Sequence, residues 1–279
     1  NSAGSEDIFV AKFNSSGVHQ WSDGFGDSAE QTASGIAFTR DGEVVVTGTF
    51  NSHVNFGGGN LNSAGGYDCY LVQLDSSGNH EWSNNYGDSD DQEAMGVNID
   101  CFNNILMTGQ FTGHVHFGGS NLMSAGDWDV YLAQFDSRGT HLWSQAFGDS
   151  SEQMSFGVTS DNSGNVLMTG SFQGNVSFGG SNLNSAGGND VFVAKYIPPH
   201  PPTPTAGPCV HHGDMNGSGN LTAEDSQMVF LMVLGFTTPT YEEECNADCD
   251  GNGILTAGDS QMIFLSVLGL EDGCVDPIP

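Results

Sequence analysis

The chain has 279 residues, 40 of them glycine, and only 4 Lys plus Arg against 34 Asp plus Glu, a formal charge of −30. That balance argues against nucleic acid and anionic membrane as partners, because both need clustered cations, and it suits divalent cations and a well-solvated surface. No apolar run reaches the length needed to span a bilayer as a helix.

In chain order, the first 196 residues are one text repeated. Asn1, Asn62, Met123 and Asn184 open equivalent copies at a constant spacing of 61 residues. Trp21, Trp82 and Trp143 share one register, and Asp7, Asp68, Asp129 and Asp190 another. The pairs Gly26-Asp27, Gly87-Asp88 and Gly148-Asp149 form a third. Thr47-Gly48-Thr49-Phe50, Thr108-Gly109-Gln110-Phe111 and Thr169-Gly170-Ser171-Phe172 form a fourth. Ungapped repetition at this period marks a stacked or ring-like array of one supersecondary unit. The chain starts at a repeat boundary without an initiator methionine, which reads as a processed mature form or a fragment.

The second copy sets the expected elements. Asp68 to Leu74 is a nearly continuous apolar strand, and Ser76-Ser77-Gly78 turns it into His80 to Tyr86. A loop at Gly87 to Asp91 leads to a third strand, Gly96 to Ile99, and Asn103-Asn104 to a fourth, Ile105 to Phe111. Turn residues between four short strands predict one antiparallel meander. A strand apolar on both faces must be covered on both, which favours a propeller blade over a half-solvated sandwich strand. Three copies and the extra strand Asp190 to Tyr196 predict about three four-stranded blades in an incomplete ring, since closed propellers take roughly four to eight. The array therefore completes a ring with other chains, stays open with unpaired end strands, or is a piece of a longer array.

Several repeat positions are candidates for chemistry. Asp7, Asp68, Asp129 and Asp190 are expected to cap turn amides. The loops holding Asp27 and Glu30, Asp88 and Asp91, and Asp149 and Glu152 read as solvated turns, with calcium between blades as the alternative. His19, His80 and His141 recur once per copy, as packing residues do. His114 and His116 alternate on one strand face without an evident third metal ligand. Cys69 and Cys101 lie at opposite blade edges and read as free buried thiols. Neither a nucleophilic triad nor paired carboxylates stand out from the repeat pattern, so the chain is read as a non-enzyme.

The copies resemble the bacterial SBBP-type beta-propeller repeats over residues 1–196. Asp190 to Lys195, Ser137 to Trp143, Gly148 to Gln153 and Asp161 to Gly170 carry the resemblance. It implies a secreted or cell-surface setting with no single activity attached. The use of six cysteines agrees with an oxidising compartment.

Residues 197–208 are a Pro/Thr linker, expected to be extended and semi-rigid. Residues 209–279 form a third module. Asp214 to Asp225 fits a twelve-residue calcium loop, with Asp214, Asn216, Ser218 and Asp225 as side-chain ligands, the Asn220 carbonyl as a backbone ligand and Gly219 at the turn. Asp248 to Asp259 repeats it, with Asp248, Asp250, Asn252 and Asp259, and the Ile254 carbonyl. Two calcium ions are expected. An apolar helix follows each loop, Ser226 to Gly235 and Ser260 to Gly269, with a glycine at each C-terminal end.

A calcium loop followed only by its exiting helix, given twice, resembles a type I dockerin over residues 209–272. That resemblance implies a calcium-folded module that docks onto a cohesin-like partner. The docking positions in that family fall here on Ala223-Glu224 and Ala257-Gly258, which depart from its frequent Ser/Thr-type pair. Cys209, Cys245, Cys249 and Cys274 bracket the module and allow three disulfide pairings.

The fold class expected is thus mainly β with a small α module. The function expected is that of a secreted structural or assembly protein, self-associating head-to-tail through open blade edges as a homo-oligomer or filament, with a calcium-stabilised docking module. The alternatives are a carbohydrate- or protein-binding propeller docked on a cohesin scaffold, and a polysaccharide hydrolase component.

Overall fold

Residues 4–161, 164–198 and 223–233 are described by the structure, a computed structural model of the chain. The chain divides into two units, Asn1–Pro201 and Pro202–Pro279.

The first unit is built entirely of short antiparallel strands among its described residues. β1 (Ile8–Phe13) and β2 (His19–Phe25) form a hairpin. β3 (Gln31–Phe38) and β4 (Val44–Phe50) follow, then a small hairpin of β5 (His53–Asn55) and β6 (Asn60–Asn62). β7 (Asp68–Leu74) and β8 (His80–Tyr86) come next. The pattern then repeats with β9 (Gln92–Ile99), β10 (Ile105–Phe111), the small pair β11 (His114–Val115) and β12 (Leu122–Met123), β13 (Asp129–Phe135) and β14 (His141–Phe147). It ends with β15 (Gln153–Ser160), β16 (Val166–Phe172), the pair β17 (Asn175–Val176) and β18 (Leu183–Asn184), and β19 (Asp190–Tyr196).

The strands β7, β8 and β10 have the bounds expected from the sequence, but their grouping into one meander is corrected. The main sheets run β3-β4-β7-β8 and β9-β10-β13-β14, so each takes its first two strands from one copy and its last two from the next. The loop from β8 to β9, expected to be an ordinary turn, crosses from one sheet to the following one. Three copies therefore make two four-stranded sheets, not three. The remaining strands form a three-stranded sheet, β15-β16-β19, at one end and the two-stranded β1-β2 at the other.

Successive sheets pack face to face, and three apolar clusters fill the spaces between them. Ile8 and Val10 of β1 meet Phe50, Tyr70 and Val72 of the first full sheet. Cys69 and Leu71 of that sheet meet Phe111, Tyr131 and Phe135 of the second. Val130 and Leu132 of the second meet Phe172, Phe192 and Ala194 of the three-stranded sheet. At each junction, residues that alternate along one strand supply aliphatic groups forward and an aromatic ring backward, as the two-residue strand period requires. The small hairpins, not foreseen in the sequence, add a plug. Phe56, Phe117 and Phe178 lie with ring centroids 4.9, 4.8 and 4.8 Å from those of Tyr70, Tyr131 and Phe192.

The Thr-Gly-x-Phe register has a steric cause. A Cβ on Gly109 would stand 1.9 Å from the Glu93 carbonyl oxygen and 2.6 Å from Tyr131 Oη, at a bulge between β9 and β10. Gly48 and Gly170 meet a carbonyl oxygen at the same 1.9 Å. The preceding Thr47, Thr108 and Thr169 hydroxyls donate to the carbonyls of Tyr70, Tyr131 and Phe192 at 2.6, 2.8 and 3.0 Å.

In the second unit the described element is α1 (Ala223–Val233). Ser226 and Val229, three residues apart, are buried, whereas Gln227 and Phe230 are exposed, so one helical face is covered. The helix expected to begin at Ser226 already includes Ala223, so the last three positions of the first proposed calcium loop are helical.

Candidate functional site

Of the proposed calcium ligands, Asp225 falls within the α1 backbone. Asp214, Asn216, Ser218, Asn220, Asp248, Asp250, Asn252, Ile254 and Asp259 lie outside the described residues, as do the second helix and Cys209, Cys245, Cys249 and Cys274. Among the described residues, no three His, Cys, Asp or Glu side chains come together as a metal site.

The acidic repeat loops are structural latches at the sheet crossings. Asp88 Oδ1 accepts from the Asp90 amide (2.8 Å) and from Gln92 Nε2 (2.8 Å), and Gln92 Oε1 accepts in return from the Asp88 amide (2.9 Å). Asp88 Oδ2 accepts from the His114 amide at 3.0 Å, which ties the crossing to the small hairpin. Asp149 repeats the set with Ser151, Gln153 and the Asn175 amide. Asp27 does so with Ala29 and Gln31, and its other oxygen stands 2.7 Å from His53 Nδ1. The Ala29 amide holds Asp27 below the usual carboxylate range against its partial burial. For Asp149, burial works upward, but the amides and Gln153 outweigh it and the result is again low.

The strand-leading aspartates cap turns as expected. Asp68 Oδ2 accepts from the Ala64 amide at 3.0 Å and Asp129 Oδ2 from the Ala125 amide at 2.6 Å. Asp190 Oδ2 does the same for the Ala186 amide. The other oxygens of Asp68 and Asp129 are buried without a hydrogen-bond partner. They face the Gly-Asp register, where a Cβ on Gly148 would sit 2.1 Å from Asp129 Oδ1 and 2.4 Å from Gln153 Oε1. Burial, reinforced by nearby Asp149, pushes Asp129 up to about 6, and burial raises Asp68 as well.

Of the three recurrent histidines, His80 and His141 pack, whereas His19 is exposed at the start of β2. His80 and His141 each place Nε2 at 3.0 Å from a serine hydroxyl, Ser83 and Ser144, with the ring against Gly58 and Gly119. Burial, then His116, lowers His141 below its ordinary value. His114 and His116 diverge in their partners, since His114 Nδ1 lies 3.5 Å from Asp88. Cys69 and Cys101 are free thiols, but only Cys69 is buried; Cys101 is half-exposed.

Two features were missed in the sequence. One is a polar pocket of about 390 Å³ lined by Glu30, Thr32, Ser34, Thr49, Tyr67, Glu93 and Met95. Tyr67 Oη donates to Glu30 Oε2 at 2.8 Å, and that bond, with burial, raises the phenol. Thr32 and Glu93 share one repeat position and Ser34 and Met95 another, but the residue type changes from copy to copy, so a search for recurring residues passes over them. The other feature is the pair of sheet faces at the array's ends. Phe9 is 78% exposed on one, Val191 and Val193 are 77% and 74% exposed on the other, and their counterparts within the array are buried.

The fold is thus that of a repeat β-protein, mainly antiparallel sheet. No family model matches the chain. The chain is 25% identical over 230 residues to an uncharacterised WD repeat-containing protein of Acanthamoeba polyphaga mimivirus, a match covering 68% of this chain. It spans about 17% of that relative's length. A crystal structure of a protein of unknown function from Bacteroides caccae aligns over 70% of each chain at 10% identity, with a TM-score of 0.28.

Proposed function

We propose that this is a secreted, non-enzymatic assembly protein. In this reading an open, propeller-type array of the SBBP kind associates head-to-tail, and a dockerin-like module folded by two calcium ions serves for docking. The observation that carries it is the inequality of the sheets: four strands within the array, two at one end and three at the other. Incomplete sheets offer unpaired backbone groups to another chain. The two ends differ, so their contact is heterologous; it closes into a ring or runs on as a filament, and filaments are the form favoured here. The strongly acidic composition keeps such an assembly solvated and supplies the oxygen ligands that calcium prefers.

A second reading draws on the Glu30–Tyr67–Glu93 pocket. In it, a carbohydrate- or protein-binding array is held on a cohesin-like scaffold by its C-terminal module. Light scattering after gel filtration, in calcium and in EDTA, separates the two. Large assemblies that a chain lacking residues 1–13 no longer forms support assembly. A discrete particle that retains a polysaccharide supports the second reading, and a bare monomer at high concentration overturns assembly.

A further inference from the structure

The two exposed end faces are complementary halves of the contact that the array already makes three times. Within the array, the apolar pairs Ile8 and Val10, Cys69 and Leu71, and Val130 and Leu132 each pack on the aromatic strand position of the following sheet. Those aromatic positions are Tyr70, Tyr131 and Phe192. Val191 and Val193 are the fourth apolar pair and have no following sheet among the described residues; Phe9 is the fourth aromatic and has no preceding one among them.

From these correspondences we infer that the Phe9 face of a second copy of this chain seats on the Val191–Val193 face of the first, sheet face on sheet face. This deepens the proposed head-to-tail assembly and rests on it, but it replaces pairing of strand edges with burial of side chains. Further residues agree. Phe13, 58% exposed, occupies the position of the fully buried Leu74 and Phe135. Leu167 beside Val193 occupies that of Val45 and Leu106, both covered by a following sheet. Leu167 and Val193 line an apolar hollow of about 250 Å³ with Val158, Met168 and Thr169, on a face where soluble monomers rarely leave large apolar groups contiguous.

A polar contact is prepared as well. Lys12 Nζ donates to the Ser76 carbonyl of the following sheet at 2.9 Å. Lys195 stands at the Lys12 position and now meets Asp161 at 2.9 Å, on an exposed surface. In the stacked pair it faces the Ser15 carbonyl of the second copy, which is the counterpart of Ser76.

The test uses the full chain in calcium, with sedimentation velocity as the readout. Phe9→Lys blocks one face and Val193→Lys the other; both sites are exposed, so circular dichroism should show an unchanged fold. Each variant alone should sediment as a monomer. Mixed in equal amounts, they should give a dimer and nothing larger, because one intact face of each kind remains. If the intact chain assembles and both variants still do, the face contact is wrong and edge pairing stands. If the intact chain is itself a monomer, the proposed assembly falls and this inference with it.

Discussion

Leu132 and Val193 occupy the same repeat position, yet Leu132 is fully buried between two sheets and Val193 is 74% exposed. Truncating each to alanine therefore isolates the effect of a neighbouring sheet. Leu132→Ala removes the isopropyl group, two methyls and a methine, from the cluster that holds Val130, Phe172 and Phe192. The surrounding strands are tied by ladder bonds on both edges of β13, so the space cannot close fully. Such truncations cost about 2–5 kcal/mol, and with no room to relax about 3 kcal/mol is the working figure. For a unit of this size each kcal/mol shifts Tm by about 2–4 °C, which gives a fall of about 6–12 °C. Val193→Ala, measured at a dilution where the chain is monomeric, should change stability by no more than about 0.5 kcal/mol. Urea unfolding followed by tryptophan fluorescence reads both. A loss below about 1 kcal/mol for Leu132→Ala, or equal losses for the two, would refute the face-to-face packing of the second full sheet on the three-stranded one.

Three further outcomes are expected, two from the geometry and one from the sequence of the C-terminal loops. Gly109→Ala should cost about 3 kcal/mol in the same assay, at the top of the usual overpacking range, because its Cβ meets a ladder carbonyl at 1.9 Å that cannot shift without breaking the β9–β10 bulge; an unchanged urea midpoint would show that the bulge yields. Asp129, raised to about 6 by burial and Asp149, keeps its proton in the folded chain at pH values where the unfolded chain has lost it. Its contribution to stability is thus greatest in acid and is lost as pH rises from about 4 through 6. Asp129→Asn should accordingly gain stability relative to the parent at pH 7 more than at pH 4.5, and a gain independent of pH would count against the buried acid. Finally, calcium removal should unfold residues 209–279 and spare the array, and the second loop, with three anionic ligands (Asp248, Asp250, Asp259) against two in the first (Asp214, Asp225), should bind more tightly. Calorimetric titration of Asp248→Ala and Asp214→Ala checks that ranking, and equal losses would count against it.

The strands were legible because each repeat strand carries its own signal. Asp68–Leu74 is nearly continuously apolar and bounded by turn residues, and the structure buries all seven of its residues. Which strands share a sheet was not legible. Gly87 to Asp91 has the composition of a tight turn whether it returns the chain to the same sheet or carries it to the next. The discriminating residue was Gln92, with Gln31 and Gln153 in register: a polar side chain repeated at a strand start and fully buried. A hairpin turn closes on its own backbone, whereas a crossing needs a side chain to fasten it, and Gln92 holds both Asp88 and the Thr112 carbonyl, 3.1 Å away. The small hairpins had a signal of the same kind in Val54-x-Phe56, Val115-x-Phe117 and Val176-x-Phe178, too short to read as strands but repeated as faithfully as the tryptophans. At the proposed calcium loops the order is reversed. Their ligand spacing is explicit in the sequence, and apart from Asp225 in α1 the proposed ligands lie outside the described residues. Repetition also explains why the end faces stayed hidden. Phe9 reads like Tyr70 and Val193 like Leu71, and what separates them is that no neighbouring sheet covers them among the described residues, which the pattern of apolar residues does not encode because it is identical where the neighbour is present.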